Sequence, residues 1–118
     1  MTKNKDQNDV VGRLADELGD KLHKVSERLG RRYRTEASVA LDSEHYLCFR
    51  KCGEVWGIEV HLPDGTCQNP WHVPLEMRIR VAEKVPSLIE VLERIEQEKA
   101  SGLVAAIAVA DKVLTELP

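Results

Sequence analysis

From Tyr46 to Leu62, apolar and polar positions alternate in two runs that meet at Gly53-Glu54. In Tyr46 to Cys52, Leu47 and Phe49 share one face, and Cys48, Arg50 and Cys52 share the other. In Val55 to Leu62, Trp56, Ile58, Val60 and Leu62 lie opposite Gly57, Glu59 and His61. A period of two marks strands, and glycine at the first central position of a two-residue loop suits a type II′ hairpin turn. Closing the hairpin there sets Phe49 against Ile58, Leu47 against Val60 and Lys51 against Trp56. Every large apolar residue then falls on one side, which predicts a hairpin with one buried face.

Upstream, Val11, Leu14, Leu18, Leu22, Val25 and Leu29 recur at spacings of three and four. This predicts an amphipathic helix from about residue 9 to residue 29, capped by Asn8 or Asp9 and stopped at Gly30. Residues 1–8, polar and without an apolar run, read as a disordered tail ahead of a single domain over 9–118. Thr35 to Leu41 alternates with Ala37, Val39 and Leu41 inward, a further strand, and Asp42-Ser43-Glu44 supplies a turn into the hairpin. Three strands in an antiparallel meander are the economical topology.

Past the loop Pro63 to Pro70, the pattern from Val73 to Val81 fits either period. Pro74 suits a first helical position, and Leu75, Ile79 and Ala82 share a helical face, which favours a helix over 74–84. Pro86 lacks an amide donor, so it predicts an interruption and a second helix carrying Leu88, Leu92 and Ile95. From Leu103 to Ala110 every residue is apolar and half are alanine. A helix apolar on all sides must be covered, either by folding back on residues 86–100 at Ser101-Gly102 or across a twofold axis. The fold class expected is α+β: an N-terminal helix, a three-stranded antiparallel meander, and C-terminal helices packed on the sheet.

Composition narrows the function classes. At 118 residues with only 4% aromatics, the chain is one domain whose core must come mainly from Leu, Ile, Val and Ala. Three cysteines, an odd count, fit a reducing compartment better than a disulfide framework, and the longest apolar run is too short for a bilayer, so a cytoplasmic protein with no membrane contact is expected. Residues 1–34 hold nine Lys or Arg against six Asp or Glu, net +3, and residues 35–118 hold eight against fourteen, net −6. An acidic body argues against general nucleic-acid binding. The local exception is Arg28, Arg31, Arg32 and Arg34 around Tyr33, which could face phosphates but equally complement the end of a helix.

Cys48, Cys52, Cys67 and His72 carry ligand types for zinc. Yet on an extended strand Cys48 and Cys52 stand ~13 Å apart at ~3.3 Å per residue, while thiolates sharing one zinc approach within about 4 Å. Strand and zinc knuckle are competing models, and the alternation favours the strand. Cys67 with His61 or His72 could pair as nucleophile and base, but no phosphate loop, nucleophile elbow or dinucleotide fingerprint accompanies them. Tyr46, His61, Trp71 and His72 mix apolar and polar surface as ligand or partner sites do. The reading that covers most of the pattern is a non-enzymatic accessory or interaction protein without a cofactor. It would work as a homodimer through Leu103, Ile107, Ala110, Leu114 and Leu117. A zinc or small-ligand protein and a weak nucleic-acid binder are the alternatives.

Overall fold

The computed structural model describes residues 2–118, with side chains described from Asp9 onward. The expected helix start near residue 9, capped by Asn8 or Asp9, is corrected to Thr2, so the backbone of residues 2–8, expected as a disordered tail, is helical; Met1 and the side chains before Asp9 lie outside the described residues. The fold is α+β. Helix α1 spans Thr2–Arg32, strands β1 (Ala37–Ala40), β2 (Tyr46–Cys52), β3 (Val55–His61) and β4 (Cys67–Gln68) follow, and helix α2 runs Leu75–Glu116. The sheet is antiparallel in the order β1-β2-β3-β4.

The central hairpin has the expected register, with Phe49 opposite Ile58, Leu47 opposite Val60 and Lys51 opposite Trp56. Gly53 takes φ +64°, which glycine adopts at no steric cost, and the turn closes in two residues. Its inner face builds the core. Leu47, Phe49, Ile58 and Val60 are buried there with Leu22 and Leu29 of α1 and Val81, Val85, Leu88 and Leu92 of α2. Trp56 stacks on Phe49 with ring centroids 5.6 Å apart.

The three-stranded expectation is corrected to four, because a two-residue strand cannot show alternation. Asp64 builds β4: its Oδ1 accepts from the Thr66 amide at 2.9 Å and from the Thr66 hydroxyl at 2.6 Å. With Gly65 at φ +87°, this turn brings Cys67 and Gln68 back beside His61 and Val60.

Because β4 covers only that end of β3, α1 covers the rest of the edge. Ser26, buried in α1, accepts the Ile58 amide on its Oγ at 3.0 Å, satisfying a backbone donor that no strand reaches. Gly30 does not stop the helix, which continues to Arg32. It is glycine because a side chain there would overlap the Trp56 carbonyl oxygen.

The expected break at Pro86 is also corrected: α2 passes through Pro86 and through Ser101-Gly102 as one helix of 42 residues. Val81, Val85, Leu88 and Leu92 form one buried stripe running across the proline, and this shared packing offsets the lost Ala82 hydrogen bond, a defect of about 3 kcal/mol. The same stripe overturns the expected face, since Leu75 and Ile79 are exposed. α1 and α2 are tied where they meet. Arg78 donates to the Ala15 carbonyl at 2.8 Å and the Val73 carbonyl at 3.1 Å, and Arg32 pairs with Glu93 at 2.7 Å, where the Tyr33 hydroxyl also donates. No helix among the described residues is long and apolar enough to cross a membrane.

Candidate functional site

The most conspicuous surface is the end of α2. Its last tie to the body is Lys99 Nζ donating to Thr35 Oγ1 at 2.5 Å. Beyond it, every residue to Pro118 is exposed, and the molecule reaches 86 Å in length against 27 and 24 Å across. Residues 100–116 thus project as about 26 Å of free helix, at ~1.5 Å per residue. The helix does not fold back on residues 86–100, so nothing among the described residues covers its apolar side chains. Leu103 is 63% exposed, Ile107 58%, Leu114 69% and Leu117 61%, with Val104, Val109 and Val113 also open. Leu103, Ile107, Ala110, Leu114 and Leu117 are spaced 4, 3, 4 and 3, one stripe along the helix. Lys112, Thr115 and Glu116 lie away from that stripe, and Asp111 flanks it.

The sheet's outer face is the second candidate. Tyr46 and His61 are cross-strand partners there and border one depression of about 510 Å³. Trp71 borders another, of about 270 Å³, with His23 and Glu59. Trp71 leans on α1: its ring meets His23 edge-on at 4.6 Å, and its Cβ packs where Gly19 leaves room. His72 stays beside Trp71 at a centroid distance of 6.2 Å. The four residues read from the sequence as one surface therefore divide into two pairs.

The four candidate zinc ligands are not brought together. Cys48 is buried within β2, Cys52 is exposed at its end, and His72 packs by Trp71. Cys67 instead meets Glu59 and His61, the ligand atoms of all three lying within 4.8 Å of one another. The alternation places Glu59 on the outer face with Arg50 and His61, but the sequence did not mark it as a metal ligand. Arg50 Nε stands 2.7 Å from Glu59 Oε1. Burial, with the nearby Glu59 carboxylate, pushes the Cys48 thiol up to about 11, and burial and Glu59 also raise Cys67.

The basic cluster is largely engaged within the chain. Arg31 pairs with Glu27 at 3.6 Å, Arg32 with Glu93, and Arg34 donates to the Gly30 and Tyr33 carbonyls, leaving Arg28 exposed beside them. No protein-family model matches the chain, and neither a curated protein nor a solved structure is similar to it.

Proposed function

We propose that the chain is a non-enzymatic interaction protein that works as a homodimer, joined by the free end of α2. The observation that carries this reading is the projecting helix of about 26 Å whose apolar stripe nothing among the described residues covers. Its occupant is a second copy, because the stripe complements itself. Laid antiparallel about a twofold axis between Ala108 and Val109, Leu103 meets the partner's Leu114, Ile107 the partner's Ala110, and Ala100 the partner's Leu117. Large side chains meet small ones at two of the three levels, as close helix packing requires. In this register the partner's Glu116, its last helical residue, reaches the level of Ser101, just past Lys99, where the helix leaves the body. The two bodies then sit at opposite ends of the paired helices.

Replacing Ile107 by Asp tests the contact. Ile107 is 58% exposed, and fully burying such a side chain is worth ~1.5–3 kcal/mol. Losing its open share once per chain removes about 2–3 kcal/mol, or roughly 30- to 150-fold in Kd, before the cost of an unpaired carboxylate is added. The variant keeps the far-UV circular dichroism of the parent and sediments as a monomer. A dimer of undiminished affinity would rule this interface out.

A further inference from the structure

We propose that Glu59, His61 and Cys67 form a binding site for a transition-metal ion of zinc type on the outer face of the sheet. The pleat assembles the three groups. Glu59 and His61 are two residues apart on β3, hence on one face, and Cys67 is the direct cross-strand partner of His61 on β4. Their ligand atoms lie within 4.8 Å of one another. Zinc bonds of ~2.0–2.3 Å in a tetrahedron place ligands just under 4 Å apart, so side-chain rotations of about 1 Å close the set.

A second feature belongs to one of the three residues. His61 Nε2 is enclosed and has no hydrogen-bond partner. A buried ring nitrogen without a partner is costly, and a bound cation is one of the few arrangements that satisfies it. The surroundings suit a ligand carboxylate as well: Arg50 Nε stands 2.7 Å from Glu59 Oε1, a neighbouring charge of the kind that supports metal ligands from outside.

The donor set selects the ion. One imidazole nitrogen, one sulfur and one carboxylate match zinc or cobalt(II), whereas calcium and magnesium take oxygen alone. Three protein ligands leave a fourth position for water. On binding, Cys67 gives its thiol proton to solvent and the metal sheds water, with no change of oxidation state.

The test is cobalt(II) titration of the reduced full-length protein, followed by its absorption spectrum, with zinc competing the cobalt away. The expected result is one ion per chain, a thiolate-to-cobalt charge-transfer band, and the strong visible absorption of a tetrahedral site. In Cys67→Ser the charge-transfer band is lost and affinity falls about a hundredfold or more, beyond the ~10–100-fold cost of an outer-shell change. Glu59→Gln weakens binding, while Cys52→Ser and His72→Ala leave it unchanged. Cys67 is exposed, so its replacement leaves the fold, read by circular dichroism, intact. No charge-transfer band in the parent overturns the proposal, and so does a band that survives Cys67→Ser but disappears in Cys48→Ser or Cys52→Ser.

Discussion

Replacing Ser26 by Ala isolates the contact that lets a helix close the edge of a sheet. The Ser26 side chain sits in a place only 6% exposed, and its Oγ accepts the amide of Ile58, itself 3% exposed, at 3.0 Å. Alanine removes the acceptor and adds no bulk, so the Ile58 N–H stays buried without a partner. Leaving such a donor unsatisfied costs about 1–3 kcal/mol. Alanine returns a few tenths of a kcal/mol of helix propensity, which leaves a net loss of about 1–2.5 kcal/mol. At ~4–8 °C per kcal/mol for a domain near this size, the melting temperature falls by roughly 4–20 °C. Parent and variant are compared by urea unfolding at equal protomer concentration, since association adds to apparent stability. Amide exchange supplies the local readout, with Ile58 losing more protection than Phe49 on the paired strand. A variant as stable as the parent, with Ile58 still protected, would refute the claim that Ser26 satisfies this edge.

Gly30→Ala tests the same seam by sterics. Alanine favours the helix by ~1 kcal/mol, but its methyl group would overlap the Trp56 carbonyl oxygen, which cannot rotate aside, and the net destabilisation in urea is expected to be about 1–3 kcal/mol. A second prediction concerns acid. The Asp42 carboxylate accepts from the Glu44 amide and from His45, and these bonds lower its pKa from 3.8 to about 2. Because the folded value is depressed, the contribution is present above 3.8 and is lost as pH falls toward 2. Asp42→Asn should therefore be less stable than the parent at pH 6 and converge on it near pH 2; a difference that is constant with pH would contradict this.

The hairpin was legible in the sequence because its two strands constrain each other: one choice of turn places Phe49, Leu47, Ile58 and Val60 together, and a slip of one residue would expose them all. Its edges were not legible. β4 is two residues long and owes its place to the Asp64 turn rather than to a pattern. Gly30 carries a helix-stop signal locally, and only the approach of Trp56 from 26 positions away explains why it lies inside a helix. Pro86 misled for the complementary reason. Local rules count the missing amide and cannot see that Val81, Val85, Leu88 and Leu92 bury together on either side of it. The exposed stripe of α2 was readable as a surface needing cover, since a helix apolar on all sides has no face suited to water. The cluster around Cys67 was only half readable: alternation aligned Glu59 with His61, but bringing Cys67 beside them required the register of β4.

The most direct test of the account is the mass of the full-length chain in solution, measured by sedimentation equilibrium for the parent and for Ile107→Asp. The account predicts twice the chain mass of 13.3 kDa for the parent and 13.3 kDa for the variant. A parent that sediments at 13.3 kDa at tens of micromolar, or a variant that remains twice that mass, would contradict it.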